Sequence, residues 1–217
     1  LAARGEIEIL RQLADHTIRV DFPGLVEPGP ESYARWFQTV CRTTADMIVH
    51  WMRVGFVHGV MNTDNMSILG QTIDYGPYGW LENYDPGWTP NTTDAGGRRY
   101  RFGNQPQVAM WNLLQLANSL VPLVPETDAL QAGLDLYADS FQQGWRQTLA
   151  AKVGIFSADQ ADKPLLDELL DILQVVETDM TIFFRNLAKV DPDSIGADIP
   201  GPLQDSYYRP EQLTPEH

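Results

Sequence analysis

Two polar stretches, separated by short apolar runs, constrain this chain more than any other feature. The first stretch, residues 58–65, ends in Asn65, and the second begins at Asp74. The apolar runs between them are residues 66–69 and 71–73, on either side of Gly70. Two short apolar runs around a glycine predict a β-hairpin, and its open end would carry both polar residues.

The chemistry of Asn65 and Asp74 suits a hard divalent cation. Magnesium bound to a nucleotide takes oxygen ligands and uses few protein groups, because phosphate and water supply the rest. An amide oxygen and a carboxylate from adjacent loops would suffice. Asn and Asp are also common turn residues that bond only their own backbone. The hypothesis therefore depends on the joint pattern, not on either residue alone.

The spacing resembles the H-R-D-L-x-x-x-N and D-F-G loops of protein kinases. The stretch from His58 to Asn65 has the same length and the same first and last residues, and Asp74-Tyr-Gly stands where D-F-G would. Val60 occupies the position of the catalytic Asp, and a carboxylate appears instead at Asp64. We interpret His58 as a residue that pins the loop. The pattern predicts the metal-binding half of a kinase site without its usual base.

Three segments resemble the selenoprotein O family of pseudokinases: residues 4–8, 58–79 and 101–117. The resemblance implies that ATP binds in a flipped orientation and that AMP is transferred to Ser, Thr or Tyr hydroxyls of proteins. By position, Asp64 matches the family's catalytic Asp. Asn65 and Asp74 match its ligands for Mg²⁺, or alternatively Mn²⁺, and Asp74 is thereby also a nucleotide-binding residue.

The periodicity of apolar residues predicts a mainly α protein with a small β-hairpin. The expected helices are residues 6–22, 32–54, 108–120, 128–152, 163–173 and 177–190. Together with the motifs, they predict a fragment, residues 1–217, that forms a protein-kinase-like large (C-terminal) lobe. Its parts are the catalytic and metal loops (55–79), an activation-segment-like loop (78–103), a helical remainder (104–190) and an extended tail (191–217). No Gly-rich loop followed by a strand Lys precedes His58, so we expect the small lobe to lie upstream and the isolated fragment to be inactive.

The long loop, residues 78–103, has two interpretations. Loops of this length in a compact domain are often functional. It could be a lid that faces the substrate, with three arginines able to contact phosphate or an acidic partner. Alternatively, it is a solvated loop anchored by aromatic residues. The arginines are Arg98, Arg99 and Arg101, and the aromatic anchors are Trp80, Tyr84 and Trp88.

Composition excludes several classes of function. The net charge of −14 argues against binding to nucleic acid or to anionic membranes. Cys41 is the single cysteine, which rules out an internal disulfide and predicts a buried, inert thiol. No apolar stretch reaches membrane-spanning length. We expect a cytoplasmic setting, unless a targeting segment lies upstream.

Two alternatives to AMP transfer remain open from the residues. One is a kinase-like phosphotransferase with an altered catalytic loop. His58-Gly59 is compatible with it, whereas Val60 argues against it. The other is a non-catalytic pseudokinase scaffold, and the presence of Asp64, Asn65 and Asp74 argues against that.

Overall fold

The predicted helices are present in the computed structural model, which describes residues 1–25, 29–191, 193 and 199–213. Within these residues the chain forms six α-helices: α1 (Ile7–Asp21), α2 (Pro30–Val54), α3 (Gln105–Leu120), α4 (Thr127–Lys152), α5 (Lys163–Val175) and α6 (Met180–Leu187). The fold is mostly helical, as the periodicity predicts. None of the helices in the described ranges is both long and apolar enough to cross a membrane.

Local chemistry sets where several helices begin. Helices α3 and α5 carry a proline in the first turn, where the missing N–H costs no hydrogen bond. The side chain of Asp179 caps α6 by accepting a 2.7 Å hydrogen bond from Ile182 N–H. The prediction of a helix over residues 177–190 is therefore wrong at its start. Thr178 forms an isolated antiparallel bridge with Tyr207 instead.

A two-stranded antiparallel sheet is present, but it lies outside the predicted hairpin. Strand β1 (Phe56–Val57) pairs with β2 (Gly79–Trp80), with Phe56 opposite Trp80 and Val57 opposite Gly79. The residues between Asn65 and Asp74 contain no strand. The hairpin predicted around Gly70 is thus wrong. In the sequence, the two strands of the sheet lie before and after the polar segment.

A turn replaces the predicted hairpin because side chains compete for the backbone groups that would otherwise form hydrogen bonds between two strands. Ser67 Oγ accepts a 3.1 Å hydrogen bond from Leu69 N–H, and Ser67 O accepts a 3.3 Å bond from Gly70 N–H. Gly70 has φ of 66°, and a Cβ there would lie 2.9 Å from the carbonyl oxygen of Thr43 in α2. The turn is therefore packed directly on a helix backbone, and only glycine fits.

The chain divides into two compact units. The first contains Leu1–Ile48, Val60–Gly76 and Asn104–Gln142. Its core includes Leu10, Ala14 and Ile18 of α1 and the buried face of α2 around Phe37. Helices α1 and α2 are joined by Tyr33, whose hydroxyl donates a 2.5 Å hydrogen bond to Asp15. The Tyr137 hydroxyl of α4 donates a 2.8 Å bond to the Pro106 carbonyl at the start of α3.

The second unit contains Val49–Gly59, Pro77–Gly103 and the described residues from Gln143 onward. Backbone hydrogen bonds fix its long loop, since Tyr84 N–H donates to Thr178 O and Met180 N–H donates to Glu82 O, each at 2.9 Å. Another part of its core is a cluster formed by Leu149, Ala150 and Leu166.

The C-terminal tail differs from the extended chain that its composition predicts. Its described part forms two short 3-10 helices, Gly201–Ser206 and Pro210–Gln212. A proline in the first turn of each favours this conformation, because its fixed φ is already helical. The predicted tail also includes residues 192, 194–198 and 214–217, which lie outside the described residues.

Candidate active site

A short helical turn in the first unit carries two of the three predicted site residues. Thr63–Asn65 form a 3-10 turn, closed by a 3.0 Å hydrogen bond from Asn65 N–H to the carbonyl of Asn62. Asp64 is exposed on this turn, whereas Asn65 is half-buried. The turn places a carboxylate and an amide side by side.

The orientation of the Asn65 amide is set by the backbone. Its Nδ2 donates a 2.9 Å hydrogen bond to the Val60 carbonyl. Because this bond occupies the nitrogen end, the oxygen end is the part of the amide left to act as an acceptor or ligand. A carbonyl-type oxygen is a suitable ligand for Mg²⁺. The donor type at Asn65 therefore fits the cation that the sequence predicts.

Asp74 stands out by its backbone conformation. Its φ of 47° lies in the left-handed region, which costs energy for any residue except glycine and is tolerated best by Asn and Asp. The turn continues with a 3.0 Å hydrogen bond from Gly76 N–H to the Asp74 carbonyl. Strain of this kind at an exposed acidic residue is typical of functional positions.

The structure places all three predicted residues in the first unit, but it joins only two directly. Asp64 and Asn65 share one turn, whereas Asp74 follows the turn at Gly70 in the same unit. In the described ranges no hydrogen bond links Asp74 to the other two, and no group of three His, Cys, Asp or Glu side chains forms a metal cluster. The predicted hairpin would have brought Asp74 beside Asn65. Because the hairpin is absent, it no longer gives a reason to expect the two residues close together.

The electrostatics of the site favour a cation. Asp64 and Asp74 are both exposed, and neither forms an ion pair with a Lys or Arg in the part of the chain that the structure describes. The whole chain carries a net charge of −14. Since triphosphate is itself strongly anionic, a nucleotide could approach these carboxylates only with a neutralising cation.

His58 and Val60 differ in burial, since His58 is buried and Val60 is half-buried. His58 belongs to the second unit, is fully buried and stacks at a tilt on Trp51, with ring centroids 5.4 Å apart. Val60, at the position of a kinase base, has no titratable group.

Sequence reasoning missed Asn112, which anchors the loop from α3. Asn112 is 7% exposed, and its Nδ2 lies 3.0 Å from the Met61 carbonyl oxygen and 2.7 Å from Met66 Sδ. A signal for it exists in the sequence. Asn112 falls on the apolar face of α3, which also carries Ala109, Leu113 and Leu116. A polar residue on such a face needs a buried hydrogen-bond partner.

The long loop, residues 78–103, is held by local contacts. Asn91 is buried within the second unit, whereas Arg98 and Arg99 are exposed. Arg98 adopts a φ of 45° and donates from Nη1 to the Gly87 carbonyl at 3.3 Å. Of the predicted aromatic anchors, Tyr84 is buried, but Trp80 is 55% exposed and therefore does not anchor the loop by burial.

Comparisons with known proteins show which family the chain resembles. The sequence profile of the family described as "Protein adenylyltransferase SelO" matches residues 1–212. The chain is 61% identical over 191 residues to "Protein nucleotidyltransferase YdiU" of Azoarcus sp. (strain BH72), which covers 88% of this chain and 37% of that protein. It is 52% identical over 217 residues to the protein of the same name from Flavobacterium johnsoniae, covering 100% of this chain and 41% of that protein. The chain thus spans about two fifths of the length of these relatives.

Proposed function

The chain belongs to the SelO family, and from that premise we propose that the full-length protein transfers AMP from ATP to Ser, Thr or Tyr hydroxyls of other proteins. The observation that carries the proposal is the site in the first unit. Asp64 and Asn65 share one turn, Asp74 holds a strained backbone nearby in sequence, and Val60 replaces the base of a kinase. In this proposal the chain is part of a kinase-like large lobe, and the remaining nucleotide contacts come from the rest of the protein.

Asp64 is proposed as the general base. Its exposed carboxylate would accept the proton of the acceptor hydroxyl, whose oxygen then bonds to the α-phosphorus of ATP. The bond from the α-phosphorus to the oxygen that bridges to the β-phosphate breaks, and pyrophosphate leaves with the electron pair. Transfers at phosphorus depend mainly on positioning and on charge stabilisation, so a site with few catalytic side chains is sufficient.

Asn65 and Asp74 are proposed to hold the metal. Their amide and carboxylate oxygens are the ligand types preferred by Mg²⁺, and Mn²⁺ could replace it. When bound, the ion would neutralise phosphate charge beside the two unpaired carboxylates. The hydrogen bond from Asn65 Nδ2 to the Val60 carbonyl orients the amide for this role, because it leaves the Asn65 side-chain oxygen to act as the ligand.

The decisive experiment compares ATP labelled on the α-phosphate with ATP labelled on the γ-phosphate. The full-length protein is incubated with a protein acceptor, and the products are measured by intact mass spectrometry. We expect α-label and the mass gain of AMP. Transfer of γ-label with the mass gain of phosphate would assign the chain to the phosphotransferase alternative.

Variants of Asp64 test its role within the same assay. Because a positioned base contributes roughly 10²–10⁴-fold in rate, Asp64→Ala should lose about that much activity. Asp46→Ala, which removes an exposed carboxylate from α2, is the matched control and should remain active. AMP transfer at full rate in Asp64→Ala would support the proposed reaction but show that Asp64 is not its general base.

A scaffold without catalysis is the remaining alternative. It predicts no transfer of either label by the full-length protein. Metal-dependent stabilisation by ATP, measured as a shift in Tm, would then separate a nucleotide-binding scaffold from one that binds no nucleotide.

A further inference from the structure

Helix α3 delivers one buried amide to the loop that carries the proposed catalytic residues. The segment between Met61 and Met66 contains both Asp64 and Asn65. Asn112 Nδ2 contacts the backbone carbonyl of Met61 at one end and the sulfur of Met66 at the other, at 3.0 and 2.7 Å. An amide nitrogen has two hydrogens, so a single side chain can serve both ends.

The two contacts of Asn112, with Met61 and with Met66, hold both ends of the segment, and we call this pair of contacts the clasp. Met61 is fully buried, which fixes the first end by packing as well as by the hydrogen bond. A further bond, from Asn65 Nδ2 to the carbonyl of Val60 just before Met61, also holds this segment. The backbone is thereby held on both sides of a turn whose Asp64 side chain remains exposed.

We propose that Asn112 is a positioning residue, which sets the placement of Asp64 and Asn65 by fixing both ends of their loop. The proposal rests on the function proposed above. Asn112 itself touches neither substrate nor metal in this role. Its effect arises because a shift of about 1 Å in a catalytic group can cost roughly 10²-fold in rate.

The surroundings of Asn112 indicate which substitution tests this role. A cavity of about 290 Å³ lies beside it, lined by apolar side chains that include Val40, Leu113 and Leu116 and by polar side chains that include Thr44 and Gln115. Its Oδ1 is buried without a protein hydrogen-bond partner among the described residues. A leucine would meet the apolar part of this lining and would leave no unpaired amide behind, but the buried Met61 carbonyl would lose its donor, which should lower Tm. Asn112→Leu should preserve the fold while it removes the clasp.

The test uses the full-length protein with Asn112→Leu and, as matched control, Asn118→Leu, which places the same change on an exposed position of α3. Thermal unfolding and circular dichroism report the fold. Titration with Mn²⁺·ATP reports the metal site, and initial rates with α-labelled ATP report kcat and KM.

We expect Asn112→Leu to keep its fold with a lowered Tm, to lose about 10²-fold in kcat and to need roughly tenfold more Mn²⁺ for half-maximal activity. Asn118→Leu should match the wild type in each measurement. A folded Asn112→Leu protein with unchanged kcat and Mn²⁺ dependence would overturn the proposal, because a purely structural asparagine predicts that result.

A second variant covers the case in which Asn112→Leu does not fold. Met66→Leu keeps the size and apolar character of the side chain but removes the sulfur acceptor at one end of the clasp. We expect an intermediate, several-fold loss of kcat. Wild-type activity in Met66→Leu would then count against the clasp.

Failure of the proposed function has a different signature. If the wild-type protein transfers γ-label or no label, AMP transfer is wrong. The role of Asn112 is then judged by Mn²⁺·ATP affinity, which should still fall in Asn112→Leu and remain unchanged in Asn118→Leu.

Discussion

The side-chain amide of Asn91 donates a 2.9 Å hydrogen bond to the carbonyl oxygen of Gly59, across 32 residues of sequence. The oxygen of the same amide accepts hydrogen bonds from the backbone N–H and the hydroxyl of Thr93. Asn91 is 7% exposed, so these contacts are shielded from water. Gly59 has φ of 84°, and a Cβ there would lie 2.4 Å from the Pro77 carbonyl oxygen. The long loop is thus joined to the segment after β1 by a buried amide and a close backbone contact.

Asn91→Ala should destabilise the chain. The change leaves a buried carbonyl without its donor, which costs about 1–3 kcal/mol. For a chain of this size that corresponds to a fall in Tm of about 2–4 °C per kcal/mol. Thermal unfolding measures the change, with Asn118→Ala at an exposed position of α3 as control. An unchanged Tm for Asn91→Ala would contradict a structural role for the amide.

Gly70→Ala should also destabilise the chain, for steric reasons. The left-handed backbone and the approach of 2.9 Å to Thr43 O leave no room for a methyl group. We expect a loss of about 1–3 kcal/mol in the free energy of unfolding. Gly24→Ala is the control, since a Cβ there meets no atom within 4 Å. Equal stability of the two variants in chemical denaturation would refute the strain argument.

Asp74→Ala in the full-length protein should abolish metal-dependent nucleotide binding. Asp74→Asn is the sharper variant, because Asn tolerates the left-handed backbone while it removes the charge. Partners of metal ligands typically contribute 10–100-fold in affinity, so we expect a direct ligand to cost more than about 100-fold. Calorimetric titration with Mg²⁺·ATP measures the change, and Asp46→Asn is the control. Undiminished affinity in Asp74→Asn would remove Asp74 from the site.

Residues 1–217 alone should bind ATP poorly and transfer no AMP. The chain covers only about two fifths of its relatives, and nucleotide sites require contacts that surround the ligand and orient it. The α-label assay on the 217-residue chain, run beside the full-length protein, measures this. Robust transfer by the short chain would show that its own residues form a complete site.

Cys41 should resist alkylation while the protein is folded. Burial raises the pKa of this thiol from 9.0 to about 12. The thiolate is therefore scarce at pH 8, and the side chain is also inaccessible. Peptide mapping after iodoacetamide treatment should find Cys41 modified only in denaturant. Complete modification of the native protein at pH 8 would contradict the buried position.

The same shift predicts the sign of a pH effect on stability. The folded protein holds the thiol proton more tightly than the unfolded chain. The resulting stabilisation is fully present below pH 9 and is lost as the pH rises toward 12. Cys41→Ala should remove this part of the alkaline decline in denaturation measurements.

The sequence by itself determined the positions of most helices and the residue types of the candidate site. Apolar periodicity is a local property, so the predicted ends of α2 and α4 agree with the structure to within two residues. The predicted oxygen ligands and the absence of a titratable group at Val60 are likewise read directly from residue types, at Asp64, Asn65, Asp74 and Val60. Apolar periodicity and residue type are both properties of the local sequence, and neither depends on a contact with a distant residue.

Only the tertiary structure decided how the polar segment is held. Residues 66–73 have the composition of a hairpin, but the packing of Gly70 on α2 and the Ser67 side chain favour a turn. Strand β1 pairs instead with a segment more than twenty residues later. The contacts of Asn91 with Gly59 and of Asn112 with Met61 span 32 and 51 residues. Such contacts form only after distant elements have packed together, and no local pattern in the sequence specifies their partners.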